Sequence, residues 1–140
     1  NGELFLEAEK LNKVKHDLIF IDYEFEEKGK DGKWINYDYD WMFKKGAMKE
    51  VAKYADGVGP GWYMLVDENT STLGNLKYTD MVEDIKTTKM ENHPYTVRKD
   101  ALPKFVKDID EMYDALLNKS GATGLFTDFP DLGVKFVETK

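Results

Sequence analysis

The chain repeats one simple unit four times: a short run of strand-forming residues, then a stretch whose apolar positions step by three and four. The strand runs fall at 18–21, 55–60, 93–98 and 124–127, so the units recur roughly every thirty-five residues, as βα units do. A strand returning parallel to its predecessor needs a crossover, usually a helix, and the crossover is right-handed. The repeat therefore predicts an α/β chain built on a parallel sheet. A closed eight-stranded barrel takes about 250 residues, and this chain has 140. Four units make either a small open α/β sheet or half of a (β/α)8 barrel.

Leu4, Leu6, Ala8, Leu11 and Val14, set among charges, predict an amphipathic helix over 4–15. Leu18, Ile19, Phe20 and Ile21 form a continuous apolar run, the pattern of a strand buried on both faces. Residues 24–33 are charged and punctuated by glycine, a solvated loop. Residues 34–41 then alternate aromatics with Asn and Asp. Ala47, Val51 and Tyr54 place a helix over 46–54. Thr79 is positioned to cap a helix over 79–89 with Met81, Val82 and Ile85 on its apolar face. Pro103 stands near the start of a helix over 102–118, whose apolar side runs from Phe105 to Leu117, and Gly121 is placed to end it. A turn at 128–131 leads to a last helix over 132–137.

Composition narrows the function classes. With 41% hydrophobic and 34% charged residues the chain fits one soluble domain of ordinary make-up. A net charge of −7 argues against a nucleic-acid surface, which needs clustered Lys and Arg. No run of about 18 apolar residues offers a membrane span. The absence of cysteine excludes a disulfide framework, a thiolate zinc site and a cysteine nucleophile. No signal-peptide pattern opens the chain, and it starts at Asn1 without methionine, so it is expected to be processed or cut from something longer.

The stretch 93–98 is the leading functional candidate, because ligands are handled at the carboxyl ends of parallel strands. His93 reads as a general base, a metal ligand or a phosphate donor, and against these as a structural histidine bonded to backbone, the commoner role. His16, beside Asp17 in a helix-to-strand turn, reads as structural. Arg98 reads either as a forked donor to an anionic substrate or as the partner of Asp100 or another carboxylate. Tyr95 reads as pocket wall or core. Asp128 and Asp131 flank Phe129-Pro130 as metal carboxylates or, more commonly, as helix-capping and turn-stabilising groups. Asp38 and Asp40 lack partners at coordinating spacing. The glycines of 56–60 make neither a dinucleotide fingerprint nor a P-loop and read as backbone clearance at a strand end. The pattern Gly-x-Ser-x-Gly is absent, and Ser71 and Ser120 are placed in polar loops.

Four segments carry a resemblance: Trp34-Ile35-Asn36-Tyr37-Asp38-Tyr39-Asp40-Trp41-Met42-Phe43, Tyr54-Ala55-Asp56-Gly57-Val58-Gly59-Pro60, His93-Pro94-Tyr95-Thr96-Val97-Arg98 and Gly124-Leu125-Phe126-Thr127-Asp128-Phe129-Pro130-Asp131. In these, residues 34–140 resemble the C-terminal half of bacterial glycerophosphodiester phosphodiesterases of the periplasmic type. Residues 1–33 match much less well. The resemblance implies the last four βα units of a (β/α)8 TIM-type barrel. It further implies hydrolysis of glycerophosphodiesters to an alcohol and glycerol 3-phosphate, a divalent metal, typically calcium, and a periplasmic location. The family's catalytic histidines and metal-binding Glu and Asp come from its first strands, in His-Arg-Gly, Glu-x-Asp, His-Asp-His and Pro-Glu-Ile-Lys motifs. None of these occurs here. The resemblance thus implies no catalytic residue and no metal ligand in this chain, which alone is expected to be inactive.

What carries over is substrate-facing: Tyr95, where many relatives have Trp in Trp-Thr-Val; Arg98, where they often have Asn; Gly59 and Pro60 at the rim; and Trp62 and Tyr63 in the loop beyond. The expected partners are the substrate and a missing N-terminal half-barrel or a second copy. The competing expectation is a truncated, non-catalytic remnant that serves as a half-barrel assembly module, since an open sheet offers edges and an apolar face.

Overall fold

The computed structural model describes residues 26–139 and, before them, the backbone of 18–20. The expected helix over 4–15, His16 and Ile21 lie outside the described residues. In chain order the strands are β1 (Leu18–Phe20), β2 (Glu26–Lys28), β3 (Trp34–Asn36), β4 (Gly57–Gly59) and β5 (Glu91–Asn92). The helices are α1 (Ala47–Val51), α2 (Trp62–Leu65), α3 (Asp80–Lys86), α4 (Ile109–Tyr113) and α5 (Pro130–Glu138). Short 3-10 turns stand at Asp40–Phe43 and Lys99–Ala101, and α4 runs on into a π-helical segment, Asp114–Lys119.

The parallel sheet predicted by the repeat is present, in the order β1–β4–β5, with Ile19 opposite Val58 and Val58 opposite Asn92. Past β5 the ladder continues as single parallel bridges, Gly61 with Tyr95 and Val97 with Thr127. The Val97 N–H donates to the Phe126 carbonyl (2.8 Å), and the Phe126 N–H to that of Pro94 (2.9 Å). Four segments thus lie side by side in chain order, and among the described residues the sheet is open, not a closed barrel.

Successive strand residues face opposite sides. Val58 and Asn92 point toward the helices and are fully buried, and the Asn92 amide donates to the Ser120 carbonyl at the end of the π-helical segment. His93 lies on the other face with Glu91, and its ring sits against Gly124. On that face the Glu91 and His93 side chains are 59% and 29% exposed, while Gly57 and Gly59 are buried.

The core lies between sheet and helices. Its fully buried members include Met48, Leu65, Val66, Met81, Met112, Tyr113 and Leu116. All six methionines of the chain are buried. Their unbranched thioethers suit the irregular gaps left by short helices. One contact ties this layer together. The N-terminal position of α1 is Gly46, at φ +89° and without a side chain to cap the helix. Asp84, buried on α3, supplies both acceptors instead, taking the N–H of Gly46 (2.9 Å) and of Met48 (2.8 Å).

Several expected boundaries need correction. Residues 24–33 are not all loop: β2 pairs antiparallel with β3 around the turn at Gly29–Lys33, where Asp31-Gly32 supplies the left-handed residue that a tight hairpin needs. This hairpin is exposed, with the Lys28 ammonium 5.6 Å from the Trp34 ring centroid. The helix expected over 102–118 begins only at Ile109. Asp108 accepts the Glu111 N–H (2.9 Å) while Glu111 accepts the Lys107 N–H (2.6 Å), a reciprocal cap that fixes the start there. Residues 102–107 are irregular, and Phe105 belongs to a loop. The helix expected over 79–89 stops at Lys86, where the Thr87 and Thr88 hydroxyls bond back to the Asp84 and Ile85 carbonyls. Thr79 precedes that helix, but its hydroxyl donates to the Met64 carbonyl and caps nothing. Gly121 ends the long helical stretch as expected, at φ +68°, with the Ala122 N–H reaching the Leu116 carbonyl (3.0 Å).

Candidate functional site

The carboxyl ends of β4 and β5 make the rim. Gly59 and Pro60 are buried. The Pro60 carbonyl accepts the Tyr95 N–H (3.0 Å), and the Trp62 N–H donates to the Tyr95 carbonyl (2.8 Å). Residues 60–62 therefore grip Tyr95 by its backbone and leave its part-buried side chain on the rim. The Tyr95–Thr96 peptide is cis.

Gly61, between them, is buried, and a Cβ built there would stand 2.5 Å from Cε1 and Cζ of Tyr63. The Tyr63 ring thus lies on the bare backbone of the strand end, a placement that only glycine leaves room for. Its centroid is 5.8 Å from that of Trp62 with the planes at 81°, and Phe105 packs on Trp62 from the neighbouring loop at 6.4 Å and 61°. Tyr63 is 40% exposed, while Trp62 is half-buried. Gly59, Pro60, Trp62, Tyr63 and Tyr95 are therefore brought together. Phe105 is the member that sequence reasoning missed. Its apolar spacing mimicked a helix face, and the Asp108-x-x-Glu111 cap was the signal that would have placed it in a loop.

Arg98 stands apart from this group, held by carboxylates. Its Nε and Nη2 bond both oxygens of Asp100 (3.1 and 2.8 Å), and Nη1 lies 3.4 Å from Asp128 Oδ2. Of the two readings open for Arg98, the ion pair is the one seen, and its fork is engaged on the acidic side chains. The hydrogen bond from Arg98 and its charge hold the Asp100 carboxyl below its ordinary 3.8, and Asp100, with Asp128 adding, raises the guanidinium. Asp100 favours the folded rim while ionised, so this contribution is complete above pH 3.8 and lost as pH falls through the lower folded value. We expect the Asp100 side-chain carboxyl to titrate below its ordinary 3.8 by NMR, and to move back up toward it in Arg98→Gln. An unchanged titration would show that the pair does not persist in solution.

The remaining candidates are engaged in local contacts. His93 Nε2 is 3.2 Å from Glu91 Oε2. Asp128 pairs with Arg98 and does not cap α5, whose first residue is Pro130. The turn there is held by Thr127, whose hydroxyl accepts the Phe129 N–H (3.1 Å), donates to the Val97 carbonyl (2.9 Å) and meets the Tyr113 hydroxyl (3.2 Å). Asp131 sits in the first turn of α5, where the helix dipole favours it. Asp38 accepts the Asp40 N–H (2.9 Å) at the start of a 3-10 turn. Ser71 and Ser120 lie in connections as expected, but buried: Ser71 accepts the Lys77 N–H and Ser120 donates to the Ala115 carbonyl. Among the described residues no group of three or more His, Cys, Asp or Glu side chains is placed to hold a metal ion.

A family model described as glycerophosphoryl diester phosphodiesterase family matches residues 7–132. A glycerophosphodiester phosphodiesterase of Haemophilus influenzae is 64% identical over 122 residues, covering 86% of this chain and 34% of the relative. One of Treponema pallidum is 50% identical over 114 residues, 81% of this chain and 32% of the relative. One of Arabidopsis thaliana is 35% identical over 97 residues, 67% of this chain and 26% of the relative. The chain spans 34% or less of the length of each of these relatives.

Proposed function

The chain belongs to the glycerophosphoryl diester phosphodiesterase family, and from that premise we propose that it is the C-terminal part of an enzyme hydrolysing glycerophosphodiesters to an alcohol and glycerol 3-phosphate. The observation that carries this reading is the 64% identity to the Haemophilus influenzae phosphodiesterase across 86% of the chain. The sheet is proposed to be the last four strands of a (β/α)8 barrel. In its favour are the parallel segments in chain order and the helices behind Val58 and Asn92. The proposed cover for the sheet face opposite those helices is an N-terminal half-barrel of the longer protein. That face also suits the reading as a non-catalytic half-barrel module, covered by a second copy.

The family's chemistry calls for a divalent metal, proposed to be calcium, and the described residues do not fit one. No step of hydrolysis is therefore assigned to this chain, and the metal ligands and acid–base groups are placed outside it. Its own part is to shape the pocket. Tyr95, gripped by residues 60–62, lines it; Gly59 and Pro60 let backbone approach it; Trp62 and Tyr63 wall its outer side. Arg98 reaches a substrate phosphate only by giving up Asp100 or Asp128. The proposed compartment is the bacterial periplasm, on the resemblance to the periplasmic type.

The test is release of glycerol 3-phosphate from glycerophosphocholine, read by a coupled dehydrogenase with calcium present. The longer protein containing this chain is expected to turn over and residues 1–140 alone are not. A longer protein without turnover would sink the enzymatic reading and leave the assembly module, which sedimentation of 1–140 as a dimer would favour. Turnover by 1–140 alone would overturn the placement of the chemistry outside it.

A further inference from the structure

We propose that Asp100 and Asp128, held on Arg98 at the rim, make the site favour a phosphodiester with one negative charge over a phosphomonoester with two; this rests on the reading of the rim as a phosphodiester pocket. Val97 and Thr127 pair across parallel strand segments, and Arg98 and Asp128 are the next residue of each. The Asp128 N–H donates to the Val97 carbonyl (3.2 Å), which fixes the two carboxyl ends side by side. Asp100 turns back from the 3-10 turn Lys99–Ala101 to the same guanidinium. Two carboxylates against one guanidinium leave a surplus negative charge where an anionic ligand would arrive.

The cluster is open to exchange on one side. Asp100 takes the Nε–Nη2 edge through two hydrogen bonds, 3.1 and 2.8 Å, the bidentate geometry that arginine holds most firmly. Nη1 meets Asp128 only at 3.4 Å. All three side chains are about half exposed, so a phosphate oxygen can replace Asp128 at Nη1 without uncovering buried surface. Asp128 then stays nearby as an unpaired charge, and Asp100 remains on the guanidinium. A second charge on the ligand meets such a neighbour at about 6 Å in a largely aqueous medium, which weakens binding by a factor of about three to ten. Hydrolysis of a diester creates that second charge, since a phosphate monoester loses its second proton at about pH 6. The carboxylates that admit the substrate therefore hasten the product away.

The charge of the ligand is the variable to test. Glycerol 3-phosphate and glycerol methylphosphonate, in which a methyl carbon replaces one charged oxygen, are titrated into the longer protein containing this chain. Calorimetry reads both affinities at about pH 8, where carboxylates are ionised, with calcium present. Asp128→Asn is expected to tighten the dianion about threefold to tenfold more than the monoanion, and Asp100→Asn to act in the same direction. Asp128→Glu, which keeps the charge, is expected to keep the wild-type ratio of the two affinities. So is Glu83→Gln, which removes an equal charge from α3, where it pairs with Lys86. A merely structural role for Asp128 would weaken both probes together and leave their ratio alone. A ratio unchanged in Asp128→Asn, or moved equally by Glu83→Gln, overturns the proposal. Wild-type protein that binds neither probe overturns the pocket reading itself, and the proposal with it.

Discussion

Asp84→Ala is expected to destabilise the fold by about 2–4 kcal/mol. The carboxylate spends one oxygen on each of two backbone donors at the start of α1, Gly46 and Met48. The local chain has no substitute, because Gly46 holds the capping position with no side chain. Met48 is fully buried and Gly46 is partly so, which keeps water from replacing both bonds. Leaving a buried donor unsatisfied costs about 1–3 kcal/mol each, and the more accessible Gly46 N–H falls at the low end of that range. Asp84→Asn keeps one acceptor and should lose roughly half as much. Urea unfolding reads this directly as a lower midpoint at unchanged slope. A midpoint equal to wild type in Asp84→Ala would mean that α1 does not depend on α3 for its start.

The second large effect is expected at Leu116. It is fully buried in the π-helical segment that follows α4. Truncation to alanine removes its transfer free energy and leaves a cavity, together about 3–5 kcal/mol. Leu116→Met conserves volume and should cost less than about 1.5 kcal/mol. The contrast between the two is the useful measurement. Similar losses in both would point to strain in the π-helical backbone in place of lost packing.

The repeat of strand and helix was legible because periodicity survives without any tertiary information. Leu18, Val58, Asn92 and Thr127 fall into one parallel array, as the spacing required. Naming Gly59, Pro60, Trp62, Tyr63 and Tyr95 together rested on the family resemblance and not on periodicity. What stayed hidden depends on contacts between distant residues. Asp84 and Met48 are 36 positions apart, and nothing in either neighbourhood announces that one caps the other. Phe105 was misplaced because Phe105, Val106 and Ile109 keep helical spacing through a segment that is not helical. The competing signal, the reciprocal cap at Asp108 and Glu111, was shorter and stronger. At Arg98 the sequence offered Asp100 as one partner. Asp128 became the second only when the fourth strand segment was laid beside the third.

The six buried methionines have a chemical consequence. In a chain without cysteine they are its only sulfur atoms. Peroxide and similar oxidants attack thioethers they can reach, and a sulfoxide is too polar to return to a packed core. In the native molecule the sulfurs are shielded, so their oxidation waits on local or global opening. Each opening that is caught becomes permanent until a reductase reverses it. The same side chains that fill the core so readily therefore turn a reversible excursion into a chemical record. An oxidising surrounding tests this protein by how often it opens, not by what it displays.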